Sequence, residues 1–205
     1  MEIKAVVFDL YNTLIQADNL SWKHYFLLFK KLGLSNKNVK EIILTEDFPD
    51  LKTFCEKYSI ESKKQYEKLN DEIKKIPDTV KLFPETGEVL KKLKQEEYLI
   101  GVISNISTAY KKPFFILGLD KIVDYHIFSC EFGFKKPDNR IFRHMTSVFG
   151  IREKEALMIG DSLISDYQGA KSAGLKALLL DRKNKSNRKG TIKNLQEVFA
   201  FLEVL

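Results

Sequence analysis

Ala5-Val6-Val7-Phe8-Asp9-Leu10-Tyr11-Asn12-Thr13-Leu14 is a short apolar run that stops at a carboxylate. A run of this length close to the amino terminus reads as a strand buried on both faces, as in a parallel sheet. Open α/β folds place their chemistry at the carboxyl ends of such strands. Asp9 therefore stands where a nucleophile or a metal ligand would stand, although a carboxylate can also merely end a strand or cap the next helix. The other strand ends have to decide.

From Val80 onward the chain alternates helices and apolar strands. Glu85 to Gln95 reads as an amphipathic helix, with Val89, Leu90 and Leu93 on one face. Tyr98 to Ile103 reads as a strand ending in Ser104-Asn105. Thr108 to Leu117 is helical, with Pro113 expected to bend or divide it. Asp124 to Cys130 is the next strand. Asp138 is positioned to cap a helix that Gly150 stops. Ala156 to Ile159 is a strand ending in Gly160-Asp161, Ser165 to Ala173 a helix, Leu175 to Leu180 a strand, and Ile192 to Leu202 a last helix. Such alternation argues for βαβ units in a doubly wound parallel sheet, an α/β Rossmann-like core.

Residues 20 to 75 differ. Apolar residues recur there at helical spacing: Trp22, Tyr25, Phe26, Leu28 and Phe29; then Val39, Ile42 and Ile43; then Leu51, Phe54, Cys55 and Tyr58; then Tyr66, Leu69 and Ile73. Three or four short helices without a strand are expected, closed by Pro77. The first strand needs the later sheet to be stable, so residues 16–78 read as an all-helical insertion into a core made of residues 1–15 and 79–205.

The chain has 205 residues, enough for one domain with a modest insertion. Its hydrophobic share of 44% supports a real core. The net charge of +6 suggests anionic partners, for which a small phosphorylated metabolite and nucleic acid both qualify, but both signs are interleaved along the chain, which reads mostly as a solvated surface and weighs against nucleic acid. Cys55 and Cys130 are isolated, which fits a reducing compartment. The first apolar run is short and broken by Asp9, so no leader is expected, and no run reaches the roughly 20 residues that span a bilayer. The expectation is a cytoplasmic protein without membrane contact, of unspecified oligomeric state. The loop from Arg182 to Gly190 is basic and turn-rich, and reads as a solvated surface or a rim that attracts anions.

Polar residues gather at the strand ends: Asp9 and Thr13; Ser104 and Asn105; Lys135 and Lys136 before Pro137; Asp161, Ser162 and Asp166. In a parallel sheet these ends share one edge. Carboxylates suit Mg²⁺, a lysine neutralises phosphate, and hydroxyls with backbone N–H groups hold phosphoryl oxygens. Aspartate is an established phosphoryl-accepting nucleophile.

Four segments in order carry a resemblance: Phe8-Asp9-Leu10-Tyr11-Asn12-Thr13-Leu14; Ile103-Ser104-Asn105; Glu131 to Asp138; and Ile159-Gly160-Asp161-Ser162 with Asp166, Gly169 and Ala170. Together they resemble the haloacid dehalogenase-like hydrolase superfamily, and the helical insertion resembles its small cap domain. The resemblance implies Asp9 as nucleophile and Lys136 as the motif lysine, with Lys135 solvated. It implies phosphate contacts from Thr13, Ser104, Asn105 and Lys136. It implies Mg²⁺ held by Asp9, the Tyr11 carbonyl, Asp161 and, directly or through water, Asp166.

Tyr11 departs from the phosphatase pattern, which has a second aspartate there to protonate the leaving group. A phenol of pKa about 10 is a poor substitute near neutrality, so a slow phosphatase is implied. Tyrosine here is instead a feature of the 2-haloacid dehalogenases, which need neither that acid nor a metal. Against that alternative, Asn12 replaces their glycine, and Asp161-Ser162-Leu163 stands where they carry Ser-Ser-Asn. A weakly catalytic member that binds phosphorylated ligands is the third reading. Gln16, Asp18, Trp22 and Tyr25 lie near the cap entrance as selectivity candidates, while His24, His126 and His144 have no motif around them.

Overall fold

Ala5, Val6, Val7 and Phe8 have no solvent exposure, as a strand covered on both faces requires. In a computed structural model, which describes residues 2–17, 34–60, 63–186 and 188–204, they form β1 (Ala5–Phe8). Of the cap-entrance candidates only Gln16 is among these residues. Asp18, Trp22, Tyr25 and His24, with the rest of the first expected helix, lie outside them.

β1 is joined in parallel to β4 (Leu99–Ser104) on one side and to β6 (Ala156–Gly160) on the other. The sheet continues to β5 (Tyr125–Phe128) beyond β4, and to β7 (Lys176–Leu180) and β8 (Thr191–Ile192) beyond β6. All these pairings are parallel. Alternate strand residues serve two apolar layers. Val6, Phe8, Val102 and Ile159 enter one, while Ala5, Val7, Ile103 and Met158 enter the other. This is the expected α/β Rossmann-like core. The chain visits β4 and β5 before crossing to β6, so the winding direction reverses at β1. That is the switch point at which open α/β sheets form a ligand crevice, and Asp9 follows β1 directly.

Between β1 and β4 the chain forms a two-stranded antiparallel ribbon, β2 (Ile15–Ala17) with β3 (Val80–Leu82). Within the span enclosed by this ribbon, helices Asn36–Thr45, Leu51–Lys57 and Lys63–Thr79 are described. They bury the apolar faces read from the sequence, including Val39, Ile43, Phe54, Cys55 and Leu69. Ser35 and Asp50 cap the first two through side-chain acceptors. Phe48 meets Phe54 edge to face at 4.8 Å. These residues belong to the same apolar cluster as Leu157 and Ile159 of the sheet.

Several boundaries differ from the sequence reading. The last long helix runs through Pro77 to Thr79 instead of closing at the proline. The sequence gives no sign of β2 and β3, because three residues are too few to show an alternation. Thr191–Ile192, expected to open the final helix, is the edge strand β8. The helix proper is Val198–Leu202, preceded by a tight turn that the Asn194 side chain caps. The strand through Tyr125 ends at Phe128, and Ser129–Phe132 turns helical. Pro113 does divide its segment, into a 3-10 turn at Thr108–Tyr110 and a helix at Lys112–Ile116.

The insertion's packing can be tested at its centre. Phe54→Ala is expected to destabilise the protein by about 3–5 kcal/mol through lost burial and an unfilled cavity, read as a lowered midpoint in urea with an unchanged slope.

Candidate active site

Lys136 is only 2% exposed although it carries a full charge. Its ammonium lies 2.6 Å from Asp9 Oδ1 and 2.7 Å from Asp166 Oδ1, and donates to the Ile103 carbonyl at 2.6 Å. An unpaired charge at this depth would be untenable, so these contacts are the condition for its presence. Burial works against the Lys136 charge, but Asp166 and Asp9 outweigh it and hold the ammonium above its usual range. Burial pushes Asp9 up to about 7, opposed by Lys136 and reinforced by Asp166 and Asp161.

Each partner is placed by a different element. Asp9 follows β1, and its N–H donates to the Ile159 carbonyl of β6 at 2.9 Å. Lys136 is held by Asn105, just past β4. The Asn105 carbonyl oxygen accepts the Lys136 N–H at 2.7 Å, and its amide donates to the Lys136 carbonyl at 2.8 Å. Both ends of the Asn105 amide thus face the lysine's backbone. Asp166 sits in a π-helical turn, Leu163–Gln168, where its Oδ2 accepts the Ser162 N–H at 2.9 Å. Gly160 makes room for it, because a Cβ at Gly160 would collide with the Asp166 carboxylate.

Asp161 is exposed at the rim. It offers an oxygen within 4.8 Å of oxygens from Asp9 and Asp166. Partial burial and the Asp166 charge push it up, while the Lys136 charge and a hydrogen bond from Asn12 oppose. Thr13 is fully buried, and its hydroxyl has no hydrogen-bond partner among the described residues. Ser104 ends β4 and is also buried. The sequence-derived residues Asp9, Thr13, Ser104, Asn105, Lys136, Asp161 and Asp166 thus share one sheet edge.

The Tyr11 hydroxyl has a backbone partner. It donates to the Tyr110 carbonyl at 2.9 Å, and burial holds the phenol well above its ordinary range, with Tyr110 adding to the effect. Lys135, expected to be solvated, is paired with Glu41 of the insertion at 2.5 Å. His126 packs against Phe114 and Phe128, each at 4.8 Å, and His144 meets the Tyr125 hydroxyl at 3.2 Å. Sequence reasoning missed the part of Gly160, for which the available signal was its place directly before Asp161.

Asp9 and Asp166 pair with one ammonium and Asp161 lies beside them, so the cluster carries two negative charges in excess when all three carboxylates are ionised. A divalent cation fits that donor set of hard oxygens.

Residues 6–180 match the family described as haloacid dehalogenase-like hydrolase. The chain belongs to the haloacid dehalogenase-like hydrolases. Over 99% of both chains it is 30% identical to a putative pyrophosphatase, PpaX, from Clostridium perfringens. It is 35% identical, over 48% of its own length, to a glyceraldehyde 3-phosphate phosphatase from Methanothermobacter thermautotrophicus, of which the match spans 44%. Among solved structures, a HAD phosphatase from Thermococcus onnurineus superimposes with a TM-score of 0.68 at 25% identity, covering 98% of both chains. A 2-haloacid dehalogenase from Pseudomonas syringae pv. Tomato shares the fold with a TM-score of 0.71 at 20% identity, covering 98% of this chain and 99% of that one.

Gly160→Ala tests the packing of the site. The new methyl collides with the Asp166 carboxylate, and a stability loss of about 1–3 kcal/mol is expected, measured as a fall in the urea midpoint.

Proposed function

We propose that this chain is a Mg²⁺-dependent phosphatase acting on a small phosphorylated metabolite, with residues 16–78 as a cap domain over the site. The observation that carries the reading is the cluster of Asp9, Asp161 and Asp166 at the switch point of the sheet, with Asp9 and Asp166 paired to one buried lysine. The names of the relatives, several of them phosphatases of small metabolites, support it.

In this reading an Asp9 carboxylate oxygen attacks phosphorus. The bond to the leaving oxygen breaks, and its electron pair departs with the alkoxide, which takes a proton from solvent. Water then attacks the aspartyl phosphate and gives up a proton to solvent, the Asp9–phosphorus bond breaks, and the carboxylate returns with release of phosphate. Lys136 orients Asp9 and screens incoming charge. The buried Thr13 hydroxyl, Ser104 and neighbouring N–H groups are placed to hold phosphoryl oxygens. Asp9, the Tyr11 carbonyl and Asp161 would hold the cation. Asp166 Oδ2 accepts the Ser162 N–H and Oδ1 lies against the Lys136 ammonium, so Asp166 would support the cation directly through Oδ1 or through water. Bound Mg²⁺ would draw the carboxylate and the phosphoryl oxygens together and offset their repulsion. Asn105 serves by fixing Lys136, alongside any contact with phosphate.

With its hydroxyl on Tyr110, Tyr11 offers the leaving group no proton. General acid catalysis contributes about 10²–10⁴-fold, so turnover of alkyl phosphates is slow. Tyr11 is also what favours the second reading, a metal-independent 2-haloacid dehalogenase with the same nucleophile. Asp161 and Asp166 count against it. They add negative charge beside a substrate that is itself a carboxylate.

One assay panel separates these readings: p-nitrophenyl phosphate with and without Mg²⁺, beside 2-chloropropionate without metal. Phosphate release that requires Mg²⁺ and is lost in Asp9→Asn is expected. Halide release without metal would establish the dehalogenase, and neither activity would leave a binding protein.

Tyr11→Asp is expected to raise kcat on alkyl phosphates by about 10-fold or more, with a smaller effect on p-nitrophenyl phosphate, whose leaving group needs little help. An unchanged or lower rate in a folded variant would reveal a positive role for the tyrosine.

A further inference from the structure

We propose that Arg182 is a positioning residue, one that pins both crossings between sheet and insertion and so sets the backbone of the nucleophile loop. Arg182 follows β7, and the preceding Asp181 N–H donates to the Ile192 carbonyl of β8 at 2.8 Å. The arginine therefore starts from a point fixed to the sheet. Its side chain is 20% exposed and turns inward, away from the basic loop it opens.

The guanidinium makes four contacts across the fold. Nη2 donates to the Thr13 carbonyl at 2.9 Å, and Nε reaches the Asn12 carbonyl at 3.4 Å. Nη1 pairs with Glu85 at 2.6 Å, and the guanidinium carbon lies 3.6 Å from the centre of the Phe83 ring. Asn12 and Thr13 lead into β2, by which the chain leaves the core. Phe83 and Glu85 follow β3, by which it returns. The next carbonyl, Leu14, is held from the return side by the Phe83 N–H at 3.1 Å and the Thr86 hydroxyl at 2.8 Å. Three successive carbonyls of the outgoing segment are thus fixed, two of them by one guanidinium.

These carbonyls close the loop that carries the chemistry. The Leu14 and Ile15 N–H groups both return to the Leu10 carbonyl, at 2.9 and 3.0 Å. Between them Asn12 holds a left-handed backbone, φ 62°, that most side chains avoid. Its side chain bonds Asp161, and the Tyr11 carbonyl precedes it. A shift at Thr13 moves all three. A lysine has the charge but lacks the planar fork that reaches two carbonyls and a carboxylate while stacking on a ring.

The inference rests on the hydrolase reading for its kinetic arm alone. Arg182→Gln, Arg182→Lys and Glu85→Gln are compared with the parent by steady-state kinetics on p-nitrophenyl phosphate with Mg²⁺, and by backbone hydrogen exchange. In Arg182→Gln, kcat is expected to fall about 10- to 100-fold, the scale of a small misplacement of catalytic groups, with KM within about twofold. Arg182→Lys should recover part of the loss. Exchange should accelerate in residues 10–17 and 80–86 together and stay unchanged in β4 and β6. Should Arg182→Gln fail to fold, Glu85→Gln removes one partner of the fork and should still lower kcat severalfold with faster exchange in both segments. Unaltered exchange in the folded variants, or a kcat within twofold of the parent, overturns the proposal. A parent without phosphatase activity sinks the hydrolase reading, and the exchange result still decides the part of Arg182.

Discussion

The site depends on one buried ammonium shared by two carboxylates. Lys136 pairs with Asp9 and Asp166 in a space from which water is nearly excluded. Breaking such a group by removing one partner typically costs about 3–5 kcal/mol, because the remaining charges stay buried. The fold accordingly fixes each member by backbone. Asn105 grips the Lys136 peptide from both sides, the Ser162 N–H holds Asp166, and Gly160 leaves the space that the Asp166 carboxylate fills. Four strand ends must come together for this, and a parallel sheet winding outward from β1 in both directions brings them together at its switch point.

The insertion is tied to the core by weaker means near the same site. Glu41 pairs with Lys135, the residue before Lys136, and Asp47 takes Lys111 at 3.0 Å and the Thr108 hydroxyl at 2.6 Å. These partly exposed pairs contribute roughly 0–1 kcal/mol each. The apolar surface that Phe48, Phe54 and Ile43 share with the core contributes more. Rigid pairing inside the site and looser pairing above it suit a centre that holds its catalytic groups still while a substrate enters beside them.

Much of this was legible in the sequence, for identifiable reasons. Long apolar runs ending in polar residues announced every strand of the main sheet except β8, and helical spacing announced the faces of Val39, Phe54 and Leu69. Asp9, Lys136, Asp161 and Asp166 were legible because each stands at a strand end or just before or within a helix. Very short elements were not legible: β2, β3 and β8 have two or three residues, below any detectable period, and exist only because a partner strand is in reach. Side-chain direction was equally hidden. Lys135 and Arg182 sit in basic surroundings that read as solvated, yet they turn toward acids 94 and 97 residues away in sequence. Such pairings depend on tertiary distance, which local composition does not encode.

Tyr11 is the residue by which the chain resembles a dehalogenase, but charge is the better discriminator. At 4 Å and an effective dielectric near 20, each like-charge pair costs about 4 kcal/mol. An anionic substrate entering beside Asp9, Asp161 and Asp166 meets several such terms, with Lys136 offsetting only part of them. A haloacid carries one negative charge and a phosphate monoester up to two, so either is repelled by this cluster unless a cation offsets the charge. Metal-independent dehalogenase chemistry leaves that repulsion uncompensated, whereas the phosphatase reading would place a cation at oxygens of Asp9 and Asp161. Keeping Asp161 therefore says more about the chemistry than losing the aspartate at position 11. In the phosphatase reading the tyrosine would limit which leaving groups depart quickly, while its backbone carbonyl would remain available to the cation.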